Sequence, residues 1–381
     1  MNRQALGLYI HIPFCKRKCH YCDFYSVAAD PERIRRYADA VIFDMEKQAE
    51  KYRDCCIDSL FVGGGTPSVA GEHLIRILEK ARECFTYTND AEMTCEANPE
   101  SLTLDLMMQL KQVGINRISM GAQSFCDDEL MDLGRLHDRS RVVEACYQLR
   151  QAGFENINVD IMFGVGHRLC LKDHRQAFAE TLNGILDLDI PHISCYNLTV
   201  QENTPLCRTM HEYRFPSEEE EEQMYDLLCS RLAQEGYEHY EISNFAKAGF
   251  ACRHNYKYWK SYPYLGFGPS AHSFVGGVRF YCPSDLDKYL TGETELISEE
   301  ILTPSSLAYE RLVMGLRTKE GVQDAELAGY FDLSRLKQQL QPLLQQNMVV
   351  MTHDGFSLTE RGYRVSNAII RQLSTFYLGD R

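Results

Sequence analysis

Three cysteines, Cys15, Cys19 and Cys22, stand in a C-x3-C-x2-C loop directly after the strand-like run Tyr9-Ile10-His11-Ile12. Three thiolates on one short loop can each hold one iron of a four-iron four-sulfur cluster. The fourth iron is then left without a protein ligand and free to chelate a small molecule. A tetrahedral zinc site is the competing reading, but zinc wants a further ligand pair at a spacing such as C-x2-C or H-x3-H, and none stands out. A disulfide framework fits still less well in a long chain without a secretory signature. The other twelve of the 15 cysteines are mostly scattered among apolar residues, where a thiol acts as a small hydrophobe. Cys55 and Cys56 are adjacent and carry no assigned role.

Three further groups of residues can do chemistry. Gly63-Gly64-Gly65-Thr66-Pro67 lacks the G-x-G-x-x-G and G-x4-G-K-[ST] spacings, so a dinucleotide or nucleotide-phosphate loop is excluded as a strong reading. Consecutive glycines instead let backbone approach a ligand closely, or simply form a turn. Glu96, Gln123, Arg135 and Asp160 are polar where an apolar residue would serve packing. Singly each reads equally well as a cap or a surface charge; as a set on successive strands they suit the hydroxyls, amine and carboxylate of one ligand. The segment from Cys252 to His272 gathers His254, Asn255, Tyr258, the single tryptophan Trp259 and further aromatics. It reads as a surface for a flat ligand, with His254 a candidate iron ligand, or as ordinary aromatic packing.

The elements that must position these groups alternate. Short β-rich runs are expected at 8–12, 59–62, 92–96, 117–121, 157–162 and 193–198. Helical periodicity falls between them at 33–51, 72–84, 103–113, 140–152 and 173–187, with Thr103 a candidate helix start. Strands joined by helices imply parallel pairing with right-handed crossovers, and six such units imply an α/β fold with a partial (βα)6 barrel. In such barrels function gathers at the carboxyl ends of strands, where the cysteine loop, the glycine run, Glu96 and Gln123 all fall, with Asp160 in the fifth strand. The acidic run 218–222 follows Pro216-Ser217 and reads as the first turn of a surface helix. From about 300 the pattern changes to helices at 301–317, 322–331 and 335–346, a β-like pair around 348–358 and a last helix at 360–373, a mostly helical, winged-helix-like tail. Three units are therefore expected: 1–215, 216–299 and 300–381.

With 381 residues, 44% of them hydrophobic, the chain can bury a large core, and it holds no apolar run long enough for a membrane span. A net charge of -14 opposes broad attachment to nucleic acid or anionic lipid. The tail holds nine basic and eight acidic residues over 301–381, too balanced for a phosphate footprint. The stretch 5–14 contains His11 and Pro13 and runs into the cysteine loop rather than a cleavage site, so it is not read as a signal. Many free thiols without a signal lead to the expectation of a reducing cytoplasm.

The cysteine loop resembles that of the radical S-adenosylmethionine (SAM) superfamily, and the rest of the chain resembles its coproporphyrinogen-oxidase-like branch. That likeness rests on Tyr9 to Cys15, Gly63-Gly64-Gly65-Thr66-Pro67-Ser68, Glu96-Ala97-Asn98-Pro99, Gly121-Ala122-Gln123-Ser124-Phe125, Leu133-Gly134-Arg135-Leu136-His137 and the His-Asn-x-x-Tyr-Trp motif from His254 to Trp259. The resemblance implies a [4Fe–4S] cluster on Cys15, Cys19 and Cys22. It implies SAM against Tyr9, Tyr21, Gly64, Gly65, Thr66, Glu96, Gln123, Arg135 and Asp160, and haem at His254, Asn255, Tyr258 and Trp259. SAM would be held through its amino and carboxylate groups, and an electron from the cluster would cleave its sulfonium, chemistry the cofactor carries while the protein orients and shields.

Two departures bear on activity. The branch's oxygen-independent oxidases carry a further cysteine two positions after the last cluster ligand, where this chain has Phe24, and a long extension ahead of the loop, whereas the first cluster cysteine here is residue 15. The resemblance therefore implies a haem chaperone that passes haem to an acceptor protein, a respiratory one being a candidate. The decarboxylation of coproporphyrinogen III is the alternative. An RNA-modifying enzyme is disfavoured by the acidic balance. An electron donor is required if SAM is cleaved, a homodimer is compatible with the sequence, and the expected location is cytoplasmic, at most peripheral to a membrane. In place of the family's Gly-Leu-Pro-Gly-Gln this chain has Gly164-Val165-Gly166-His167-Arg168, a loop whose contacts the sequence leaves open.

Overall fold

Along the six expected strands the residues alternate with period two, and the alternation sorts them onto two faces. Leu8, Ile10, Leu60, Val62, Met93, Cys95, Ile118, Met120, Val159, Ile161, Ile193 and Cys195 are buried in one apolar core. The intervening positions carry Ser59, Glu92, Thr94, Glu96, Arg117, Ser119, Asn158, Asp160, His192 and Ser194. Successive side chains of a strand point to opposite sides, so a sheet with this pattern packs helices on one face and holds a polar interior on the other.

The structure is a computed structural model and describes residues 3–379. The strands are β1 (Gln4–Ile12), β2 (Cys55–Gly64), β3 (Tyr87–Ala97), β4 (Arg117–Gln123), β5 (Asn156–Phe163) and β6 (His192–Asn197). They pair in parallel in chain order. Their crossover helices are α1 (Pro31–Ala49), α2 (Glu72–Cys84), α3 (Leu104–Gln112), α4 (Arg139–Gln151) and α5 (His174–Leu186). The expected helix at 72–84 matches α2 to the residue, and Thr103 caps α3 by accepting from Leu106 N. Asp30 caps α1 in the same way and Pro31 fills its first position, where a missing N–H costs nothing.

The sheet does not close into a full barrel, because its two ends are occupied by strands the sequence did not disclose. After α6 (Glu218–Gln234) come β7 (Glu238–Glu241) and β8 (Asn244–Ala246), then α7 (Arg253–Trp259), β9 (Tyr264–Phe267), β10 (His272–Val275), β11 (Val278–Tyr281) and β12 (Ile297–Ile301). The order is β12-β11-β10-β9-β1-β2-β3-β4-β5-β6-β8-β7. β9 runs parallel to β1, whereas β8 lies antiparallel to β6. Ser217 and Glu220 form a reciprocal capping box, so the acidic run is the start of α6.

Met224, Leu228, Tyr237, Phe245 and Leu265 share the core of the six strands. A second core lies within the tail, from Ala308 to Leu373. There α8 (Pro304–Gly315), α9 (Leu333–Gln345) and α10 (Ser366–Ser374) accompany a small sheet of β13 (Val322–Gln323), β14 (Val349–Met351) and β15 (Gly355–Leu358), ordered β13-β15-β14. The helix expected at 322–331 is instead β13 and one turn, Asp324–Leu327, which stops before Gly329 at φ 88°. The last expected helix breaks at Val365 into two pieces.

Candidate cluster and cofactor site

A cavity of about 130 Å3 opens at the carboxyl ends of β1 to β5, lined by the three cluster-loop cysteines together with Tyr21, Gly64, Gly65, Thr66, Glu96, Gln123, Arg135 and Asp160. Of the residues expected at a SAM site, Tyr9 alone is not in that lining. Its hydroxyl bonds His11 Nδ1 at 3.0 Å and its ring stacks on Phe61.

The thiols are positioned by donors. Thr66 Oγ1 donates to Cys15 Sγ at 3.5 Å, and Arg135 Nη1 donates to Cys19 Sγ at 3.3 Å. Burial pushes the Cys22 thiol up to about 11, so it is a thiol until a metal displaces its proton. The three thiols line one cavity, and three thiolates on a single loop suit a multi-iron cluster. Beside the first thiol the backbone is close-packed: a Cβ on Gly65 would sit 2.7 Å from Phe14 O and 3.0 Å from Cys15 Sγ, leaving no room for any other residue.

Beside the thiols lies an unfinished polar wall. Arg135 Nη2 donates to Asn98 Oδ1 and to Gly121 O, each at 2.7 Å, while its buried Nε has no partner. Asn98 Nδ2 in turn donates to Thr66 Oγ1 at 3.0 Å, so one amide links both donors that address the thiols. Opposite, Glu96 accepts from Gly64 N at 3.1 Å and Asp160 from Asn158 Nδ2 at 2.7 Å. Burial, and then the neighbouring Asp160 charge, pushes Glu96 up to about 8; burial likewise raises Asp160. Two carboxyls so placed would be stabilised by a cationic group. Gln123 ends β4 at φ 70°, where the pairing with β5 slips by one residue. A left-handed non-glycine residue at a bulge is a strained position of the kind found at ligand sites.

The aromatic motif divides between two faces of α7. His254 is fully buried: its Nδ1 bonds Ser59 Oγ at 2.8 Å, its Nε2 bonds Tyr258 Oη at 3.0 Å, and its ring stacks on Phe61. Burial pulls its pKa down to about 3. Both ring nitrogens are engaged in this structure, so iron at His254 would have to displace Ser59 or Tyr258 from the imidazole. Glu92 holds the start of α7 by accepting from Arg253 N and His254 N, each at 3.0 Å, and Lys257 bridges to Asp58. Asn255 and Trp259, one turn apart on the adjacent face, stay half-buried.

Asn98, Ser119 and the mouth residues Arg17, Lys18 and Phe24 also line the cavity and were not anticipated as site residues. Asn98 stood inside a quoted motif, and its link from Thr66 to Arg135 is a contact no spacing reveals. Residues 164–168 line none of the cavity: His167 Nε2 bonds Glu129 at 2.7 Å, and the N–H groups of Arg168 and Leu169 donate to Asp132.

An open six-stranded parallel unit with three thiols on the loop after its first strand defines a radical-SAM fold. The Radical SAM superfamily description matches residues 9–168 and the HemN C-terminal domain description matches 302–365. The chain belongs to the coproporphyrinogen-oxidase-like family of radical-SAM proteins, and within it is similar over its full length to proteins named heme chaperone HemW. It is 33% identical to the HemW of Bacillus subtilis, over 95% of this chain and 97% of that one. It is 30% identical to that of Escherichia coli, over 96% and 97%. The solved structure of Escherichia coli coproporphyrinogen III oxidase (HemN), a radical SAM enzyme, superposes with a TM-score of 0.82 at 21% identity, over 98% of this chain and 91% of that one, a likeness of fold.

Proposed function

We propose that this chain is a haem chaperone that holds a [4Fe–4S] cluster on Cys15, Cys19 and Cys22, binds SAM in the adjoining cavity, and takes up haem for delivery to an acceptor protein. The observation that carries the cofactor reading is the convergence of three donor-addressed thiols with an unfinished polar wall in one cavity. The haem reading is supported by full-length similarity to proteins that bear the chaperone name.

When bound, the cluster supplies an open iron coordination position and an electron. The chain's own part is to hold and orient. Glu96 and Asp160 suit the cationic amine and the ribose hydroxyls, the unpaired Arg135 Nε suits a carboxylate, and Tyr21 screens the cavity. Haem contact is assigned to the Asn255 and Trp259 face of α7, with His254 fixing Tyr258 from beneath. Partners follow from this reading: haem, an acceptor such as a respiratory haem protein, and an electron donor if SAM is cleaved. No described helix is long and apolar enough to cross a membrane, and we place the chain in the cytoplasm with at most peripheral membrane contact.

The test is an anaerobic haem titration of the cluster-reconstituted chain, followed in the same preparation by an assay for coproporphyrinogen III decarboxylation with SAM and a reductant. Stoichiometric haem binding without decarboxylation is expected. Turnover of the porphyrinogen would move the chain to the oxidases despite Phe24.

A further inference from the structure

Cys126 and Cys170 are separated by 44 positions in sequence, yet both are buried, and their sulfurs face each other at 3.6 Å. A carboxylate oxygen of Asp128 completes a trio whose ligand atoms all lie within 4.8 Å of one another, the sole such group among the described residues. Asp128 has no hydrogen bond or ion pair of its own to satisfy. Two thiolates bound at about 2.3 Å to one tetrahedral ion stand about 3.8 Å apart, so the sulfurs are already at nearly the separation that a zinc-type ion sets.

We infer that Cys126, Cys170 and Asp128 form a second metal site, for a single borderline-soft divalent ion of zinc type with one coordination position left for water. Binding replaces the two thiol protons, which leave to solvent, and no electron moves. Two thiolates and one carboxylate around a divalent ion leave one net negative charge. Lys172, ion-paired with Glu180, also lies close enough for its ammonium to feel both sulfurs. The site is separate from the cluster loop and shares none of its cysteines.

Its consequence is positional. Cys126 follows Gln123 by three residues, and Cys170 closes the loop that departs from the family pattern at 164–168. Asp132 already gathers the Arg168, Leu169 and Cys170 N–H groups. An ion on the two sulfurs would pin that loop to the segment leaving the bulge at the cavity wall.

The experiment is metal analysis of the full chain with its cluster assembled anaerobically, incubated with zinc and desalted, followed by X-ray absorption at the zinc edge. One zinc per chain is expected, with two sulfur scatterers at about 2.3 Å and the rest oxygen at about 2.0 to 2.2 Å. Cys126→Ser and Cys170→Ser should each abolish retention, and Asp128→Asn should weaken it about tenfold, with cluster iron unchanged in all three. Iron content thus shows that each variant is folded, and the half-exposed Asp128 change leaves packing intact. No zinc on the cluster-loaded chain, three or four sulfur scatterers, retention unaffected by either cysteine change, or a Cys126–Cys170 disulfide found by mass mapping of the anaerobic protein would overturn the inference.

Discussion

At the carboxyl ends of the strands, Glu96, Asp160, Gln123 and Arg135 share a cavity in which polar groups are left over. Around His254, lower on the same sheet face, polar groups of similar type are closed on one another. The first corner has an Arg135 Nε without a partner, two carboxyls raised by burial and a left-handed glutamine. In the second, both imidazole nitrogens and both oxygens of Glu92 are engaged. Arg117 is intermediate: it is buried with its Nε unpaired, its charge offset by Glu92 and Asp160. Buried polar groups are mostly satisfied, so an incomplete set that also lines a cavity is where a ligand can complete it, and a complete set is architecture.

The largest effect should come from the open corner. Replacing Cys15, Cys19 or Cys22 by alanine removes one iron ligand, and iron content and the brown chromophore should be lost; full retention in all three would dissolve the distinction at once. In the closed corner, His254→Ala leaves a cavity and two hydroxyls without partners, at a cost of about 3 kcal/mol in unfolding free energy. The haem spectrum should keep its band position in that variant. A changed band with unchanged melting would instead return His254 to the iron.

Asn98→Ala sharpens the comparison from the open side. It should leave the cluster in place and weaken SAM binding roughly tenfold, about 1.4 kcal/mol, because Arg135 and Thr66 lose their common anchor. The last effect is a slope rather than a loss. Glu96 is raised to about 8, so the unfolded chain releases this proton first, and the cofactor-free protein loses stability as pH rises from the ordinary carboxylate value to about 8. Glu96→Gln should flatten that slope in melting experiments across this range, as should saturating SAM if its amine meets this carboxylate.

Long periodic segments were legible because one face of each packs on the core: all six strands, and α2 to the residue. The cluster loop and most of the cavity residues were legible as types at strand ends. Short antiparallel strands such as Asn244–Ala246 were not, since three residues carry no period and their pairing is set by distant partners. The fate of His254 was hidden for the same reason: Ser59 lies 195 positions away, and a motif states neighbours along the chain only. The pairing of Cys126 with Cys170 falls in the same class.

The partnership between β1 and β9 sets a timetable. The strand that carries the cluster loop begins at residue 4, yet one of its two hydrogen-bonded neighbours spans Tyr264–Phe267, and Lys257 packs over its Gly7. During synthesis β1 therefore waits with one edge bare until more than two thirds of the chain has been made. A chain stopped ahead of residue 264 should accordingly aggregate through β1 rather than accumulate as a stable half-barrel.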